Sequence, residues 1–85
     1  MSRVVVVTKE GRDYSRTVSD WIEDFYRATG RRLEIVDPDK ETAFCQAYDV
    51  VEYPTILALD NSGSVLQVWR GPVMPLIDEV NYYLI

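Results

Sequence analysis

The 85-residue chain is predicted to be a single α/β domain, residues 1–85, with a mixed four-stranded sheet and helices on both faces. Short apolar runs rich in β-branched residues alternate with amphipathic helical patterns, which gives the order β-α-β-α-β-β-α. The first β-α-β unit requires a right-handed crossover between parallel strands. The last two strands are separated only by a short turn, so they form an antiparallel hairpin. The sheet is therefore mixed.

The first strand is predicted over residues 3–8, a β-branched run that is apolar on both faces. A helix follows as far as Thr29, with Asp13 or Ser15 as its N-cap. Gly30 is suited to the C′ position that ends this helix. One face of the helix carries apolar side chains at positions i, i+3, i+4 and i+7, namely Val18, Trp21, Ile22 and Phe25.

A second strand over residues 33–36 leads into a second helix, for which Asp37 is the expected N-cap and Pro38 the first helical residue. This helix is expected to stop near Asp49. Helical spacing places four residues on one of its faces: Ala43, Phe44, Ala47 and Tyr48.

Residues 55–59 and 65–70 are predicted as the arms of the hairpin, joined by the turn at 61–64. A last helix begins at about Pro75. Its inward residues are expected to be Leu76, Ile77, Val80 and Leu84.

Composition excludes several classes of function. The formal charge of −5 argues against binding to nucleic acid or to an anionic membrane surface, and no apolar run is long enough to span a bilayer. The chain has no histidine, which removes Ser–His–Asp and Cys–His catalysis and makes a zinc site improbable. Its aspartates lack the spacing of a calcium loop, so no metal is expected. The single cysteine, Cys45, cannot form an intramolecular disulfide, and a cytoplasmic protein is expected.

Two segments carry a family resemblance. Residues 48–55, Tyr-Asp-Val-Val-Glu-Tyr-Pro-Thr, resemble the thioredoxin stretch in which a helix end leads through Tyr-x-Val to Pro-Thr. Residues 6–15 resemble the opening of glutaredoxins, where a Thr-Lys-x-Gly turn precedes Cys-Pro-Tyr-Cys. The chain is thus similar to the thioredoxin/glutaredoxin-like family, which implies a thioredoxin-like fold.

The chain departs from that family where the redox chemistry resides. The resemblance puts the first motif cysteine at Arg12 and the second at Ser15, and the buried aspartate of thioredoxins at Val6. A guanidinium has no nucleophilic form, and a serine hydroxyl without a base is inert. We therefore expect a redox-inactive protein with no catalytic residue and no cofactor.

The proline of Pro-Thr is cis in the family, and the residue before it offers its backbone to an extended substrate. Tyr53 takes that place here. The resemblance thus implies an interaction module that binds a protein or extended peptide. The alternative is a proline that only begins a strand. The residues of the expected binding groove are Arg12, Asp13, Tyr14, Ser15, Tyr53 and Pro54.

Other functions stay open. The chain could be a degenerate glutaredoxin-like protein of cell redox homeostasis that keeps a glutathione site, contacted by Lys9, or that acts through Cys45. Glutathione binding is expected to be weak, because Gly71-Pro72-Val73 replaces the family's Gly-Gly…Asp element. Cys45 itself is expected to be a buried small hydrophobe. A scaffold without any ligand is a third alternative.

Overall fold

A four-stranded mixed sheet lies at the centre of the computed structural model, which describes residues 2–85. Its strands are β1 (Arg3–Val7), β2 (Glu34–Val36), β3 (Thr55–Leu59) and β4 (Val65–Arg70), in the spatial order β2-β1-β3-β4. β1 is parallel to β2 and antiparallel to β3, and β3 is antiparallel to β4. The predicted mixed sheet is confirmed.

Three helices accompany the sheet: α1 (Ser15–Thr29), α2 (Thr42–Ala47) and α3 (Ile77–Asn81), the last continuing as a 3₁₀ turn over Tyr82–Leu84. The predicted element order is confirmed. α1 ends at Gly30, which has the left-handed φ of 72° that its position requires and donates its N–H to the Tyr26 carbonyl at 2.8 Å. None of the helices described is long and apolar enough to cross a membrane.

Side chains alternate between the two faces of each strand, so the sheet separates two core clusters. The first core cluster lies under α1 and α3, and the predicted apolar face of α1 packs into it. Its buried members are Val4, Val6, Val18, Phe25, Ile56, Ala58 and Val80. The second core cluster lies on the opposite face, under α2. Its buried members are Val5, Val7, Val36, Cys45, Val50, Leu57 and Leu59.

The start and the inner face of α2 differ from the prediction. Asp37 does accept a backbone N–H through Oδ1, from Asp39 at 2.9 Å, but this bond closes a turn and the helix begins only at Thr42. Ala43 and Ala47 are exposed, and Cys45 is the buried residue of the helix. The last helix also begins later than expected, which leaves Leu76 exposed rather than inward.

Candidate functional site

The end of β1 lies beside the start of β3. Val7 is paired with Thr55, so the residues just after β1 and just before β3 meet at one edge of the sheet. These are Thr8 and Lys9 on one side and Tyr53 and Pro54 on the other. The peptide bond between Tyr53 and Pro54 is cis.

Lys9 connects three loops at this edge. Its ammonium lies 3.3 Å from Asp39 Oδ1 in the β2–α2 loop and 5.1 Å from the centroid of the Tyr53 ring. Its backbone carbonyl accepts a 2.7 Å hydrogen bond from the Ser15 hydroxyl at the start of α1. The side chain is only 23% exposed, so its contacts are partly shielded from solvent. Lys9, predicted as a glutathione contact, and Tyr53, predicted as a groove residue, are therefore in contact.

Ser15 fixes the loop between β1 and α1. Its Oγ accepts the Arg12 N–H at 2.9 Å while donating to the Lys9 carbonyl, and its own N–H donates to the Arg12 carbonyl at 3.1 Å. The prediction that Asp13 or Ser15 caps α1 is wrong. Tyr14 is the N-cap residue, and no side chain caps the helix, because the Ser15 hydroxyl is committed to the loop backbone.

The other residues predicted for the binding groove differ in how far they are exposed. Arg12 and Asp13 are exposed, whereas Tyr14 is half-buried against the first core cluster. The Pro54 side chain is fully buried, so a ligand at this corner would touch its neighbours and not the proline ring. Two clefts border the corner, of about 440 and 370 Å³, and neither is lined by Arg12, Asp13 or Tyr14.

The larger cleft lies between α1 and the edge of β2. Lys9 and Ser15 line its mouth and Ile22 and Ile35 its apolar wall. Thr8 also lines it, with a buried Oγ1 that makes no hydrogen bond to any residue in 2–85. Cys45 and Tyr53 both line the smaller cleft.

The corner at Pro54 is held by hydrogen bonds from two directions. The Pro54 carbonyl accepts the Gly71 N–H at 3.2 Å, which fixes the segment between β4 and α3 against it. Farther along that segment the Pro75 carbonyl accepts the Trp21 indole N–H at 2.9 Å. On the other side, the Thr55 hydroxyl donates to the Glu52 carbonyl at 2.7 Å. The two segments that meet here are therefore anchored.

Sequence reasoning missed the apolar side chains that these two segments expose. Val51 is 78% exposed, Val73 85% and Leu76 70%. The sequence does contain a sign of these exposed side chains. The run Gly-Pro-Val-Met-Pro-Leu over residues 71–76 is apolar, yet it lies between two predicted elements and not within one. Only the fold shows that the run begins with a hydrogen bond from Gly71 to Pro54.

Two buried residues, Val6 and Cys45, bear on the question of thiol chemistry. Val6, at the position of the family's buried aspartate, is completely buried in the first core cluster. Burial raises the pKa of the Cys45 thiol above its ordinary value, with a smaller contribution from the negative charge of Glu41. Within residues 2–85, no group of three Cys, Asp or Glu side chains is arranged to hold a metal ion.

Comparison with known proteins agrees with the fold. No protein-family model and no curated protein sequence matches the chain. Solved structures do. A mutant thioredoxin from Halobacterium salinarum NRC-1 is similar with a TM-score of 0.80 at 18% identity, covering 96% of this chain and 74% of that one.

Two further thioredoxins are similar over 95% of this chain. A reduced thioredoxin pre-protein from Schistosoma mansoni matches with a TM-score of 0.75 at 20% identity, covering 95% of this chain and 73% of that one. Thioredoxin from Fasciola hepatica matches with a TM-score of 0.74 at 16% identity, covering 95% of this chain and 75% of that one. Structural similarity at these low sequence identities establishes the fold. The chain is a thioredoxin-fold protein.

Proposed function

We propose that this chain is a redox-inactive thioredoxin-fold module that binds an extended segment of a partner protein at the corner around Pro54. The binding face, called here the Pro54 surface, consists of Lys9, Val51, Tyr53, Val73 and Leu76. The observation that carries the proposal is the exposure of Val51, Val73 and Leu76 on segments that are anchored by hydrogen bonds. Exposed apolar side chains on a fixed backbone are typical of interaction sites, since little ordering is needed on binding.

The absence of redox chemistry in this proposal rests on the cysteine. The chain has one cysteine, so it cannot cycle between a dithiol and an intramolecular disulfide. That cysteine is buried, and its raised pKa keeps the thiol protonated at neutral pH. The fold does not by itself fix the function, so a thioredoxin fold without the motif cysteines can serve as a binding module.

The partner segment is expected to be extended and apolar, with one carboxylate. The hydrogen bonds of the corner are made by the carbonyls of Glu52 and Pro54, on either side of Tyr53, and we propose that the Tyr53 backbone pairs with the partner. Lys9 holds the one ammonium on this surface, at present beside Asp39. A partner carboxylate would share or replace that ion pair.

Peptide display on the immobilised, folded protein tests the proposal. We expect enrichment of segments with apolar residues at alternate positions, and tenfold weaker binding of an enriched peptide to Val73→Ser and Leu76→Ser, about 1.4 kcal/mol each. Ile85→Ser is the matched control, because Ile85 is equally exposed, at 83%, and lines a different cleft. Equal weakening in all three variants would refute the Pro54 surface.

Glutathione binding tests the glutaredoxin-like alternative to this proposal. Lys9 and Tyr53 together could hold a peptide carboxylate, but we expect no saturable binding tighter than about millimolar. Saturation at tens of micromolar in an NMR titration, with shifts confined to Lys9 and Tyr53, would favour the glutaredoxin-like alternative instead.

A further inference from the structure

Another cleft, which shares no residue with the two clefts beside Pro54, lies between the edge strand β4 and the C-terminal helix. It measures about 400 Å³ and is lined by three aromatic rings, two carboxylates and one amide. We call it the aromatic cleft. Its residues are Gln67, Trp69, Asp78, Glu79, Tyr82 and Tyr83.

The Tyr83 ring stands at a steep angle to each of the other two rings. Trp69 and Tyr83 meet with centroids 5.6 Å apart and an interplanar angle of 74°, and Tyr82 and Tyr83 with centroids 5.1 Å apart and an angle of 89°. Trp69 and Tyr83 are held in place by packing against the first core cluster. Tyr82 is 68% exposed, which is unusual for a tyrosine that only fills a core.

The two carboxylates of the cleft lack cations of their own. Asp78 and Glu79 are both exposed in the first turn of α3. Among the residues described, every ion pair is formed elsewhere, so no lysine or arginine in 2–85 neutralises either of them. The net charge of −5 adds a long-range attraction for cations.

Two of the chain's nine cationic side chains lie against other tyrosines. The guanidinium of Arg32 lies 4.1 Å from the Tyr26 centroid, and Lys9 Nζ lies 5.1 Å from that of Tyr53. Tyr82 and Tyr83 receive no such cation from residues 2–85. The aromatic cleft therefore combines three rings and two carboxylates without a lysine or arginine from residues 2–85 in its lining.

The geometry points to a binding site for an alkylammonium cation, with methylated ammonium groups preferred. Perpendicular ring faces attract a cation through their quadrupoles, and adjacent carboxylates add Coulomb attraction. Methylation weakens the hydration of an ammonium and enlarges its contact with the rings, so it favours transfer into such a cleft. The ammonium would come either from a methylated lysine side chain or from a small quaternary amine.

NMR titration distinguishes this site from general attraction to an acidic protein. Choline and Nα-acetyl-Nε-trimethyllysine amide are the cationic probes, and 3,3-dimethylbutanol is the neutral isostere of choline. We expect saturable shifts of the Trp69 indole with the cations, at about millimolar concentration, and none with the alcohol. The Trp21 indole is the internal control, since its N–H is bonded to Pro75 and it lies outside the cleft.

Two variants test the rings and the charges separately. Tyr82→Leu removes the π face and should weaken binding about fivefold, whereas Tyr82→Phe keeps the ring and should bind within about twofold of wild type. Asp78→Asn/Glu79→Gln should weaken binding about tenfold at low salt. Asp20→Asn/Glu41→Gln removes the same charge elsewhere and should have about a twofold effect or less.

Each outcome decides the proposal. Tighter binding of the trimethyllysine amide assigns the cation to a side chain, and tighter binding of choline assigns it to a free amine. The proposal fails if dimethylbutanol binds as tightly as choline, if the Trp21 indole shifts equally, or if no probe saturates below about 50 mM.

Discussion

Ser15 shows how a single side chain can fix the conformation of a loop. Its hydroxyl ties the Arg12 N–H to the Lys9 carbonyl, which closes the turn that precedes α1. The same hydroxyl fixes the backbone of Lys9, whose ammonium lies 5.1 Å from the centroid of the Tyr53 ring. Ser15, which the resemblance aligns with a redox cysteine, is thus hydrogen-bonded to Lys9, a residue of the Pro54 surface.

Restoring cysteines at positions 12 and 15 should restore disulfide chemistry. The Ser15 N–H bonds to the Arg12 carbonyl at 3.1 Å, so both positions belong to one turn at the start of α1. A thiol there would have its pKa lowered by the helix N-terminus. We expect wild type to show no insulin-disulfide reduction, and Arg12→Cys/Ser15→Cys in a Cys45→Ala background to show measurable turnover.

Ser15→Cys in the same background is the control, because it has one thiol and cannot form the intramolecular bond. If the double variant still shows two free thiols after mild oxidation, positions 12 and 15 do not correspond to the family's motif.

Cys45 is expected to react slowly and only at high pH. Burial, and secondarily Glu41, raise the pKa of its thiol, so the thiolate is scarce at pH 8. Alkylation should be at least about tenfold slower than in the denatured chain, and Glu41→Gln should accelerate it modestly. Rapid labelling at neutral pH would contradict this and support a reactive Cys45.

The same shift predicts the direction of an effect on stability. A thiol whose pKa is raised on folding contributes stability below the ordinary thiol pKa, and that contribution is lost as the pH rises through the folded-state value. Unfolding free energy should therefore fall more steeply above pH 8 in wild type than in Cys45→Ala.

At the scale of elements, α2 depends on contacts outside itself. It has six residues, too few for an isolated helix to persist in water. Just after its end, the Tyr48 ring packs against Phe44 at a tilt of 45°, and its hydroxyl donates to the Gly63 carbonyl at 2.7 Å. Gly63 has a φ of 86° and a Cβ there would come within 3.1 Å of the Tyr48 hydroxyl, so the turn of the hairpin admits little but glycine.

Tyr48→Phe should therefore destabilise the protein by about 1 kcal/mol, because one half-buried hydrogen bond between α2 and the hairpin is lost while the ring remains. Urea unfolding measures the change. Tyr26→Phe is the matched control, since the Tyr26 ring is 42% exposed and interacts with Arg32 through its face. Equal effects in the two variants would show that the Gly63 bond contributes nothing.

The strands could be predicted from sequence almost to the residue, and α2 could not. β-branched runs such as residues 3–7 leave few alternatives to a buried strand. Asp37-Pro38 fits a helix start and a turn equally well, because the aspartate carboxylate accepts a backbone N–H in both.

The same limit applies to the site. Lys9, Tyr53 and Pro54 could be named from local motifs, since their roles follow from short segments. The burial of the Pro54 ring and the exposure of Val73 and Leu76 could not, because they depend on tertiary packing and not on the local motif. Sequence motifs identify the residues of such a corner, whereas tertiary contacts decide which of them face the solvent.

At the scale of the whole molecule, one thin sheet joins two separate core clusters. Both tryptophans, Trp21 and Trp69, pack against the first cluster, and none packs against the second. Neighbouring residues on β1 enter different clusters, Val5 the second and Val6 the first, and both are completely buried. This pair offers a matched test of the prediction that residues 1–85 form a single domain.

Val5→Ala and Val6→Ala should each reduce the unfolding free energy by about 2 kcal/mol, from lost apolar burial and the cavity left behind. If the two clusters unfold together, Val5→Ala will shift the tryptophan fluorescence transition as far as the far-UV circular dichroism transition, although no tryptophan touches its cluster. The coupling is expected because β1 and β3 supply both clusters from alternate residues, so neither can be lost while the other keeps its strands. A fluorescence midpoint unchanged by Val5→Ala, alongside a displaced dichroism midpoint, would mean that the two faces of the sheet unfold independently.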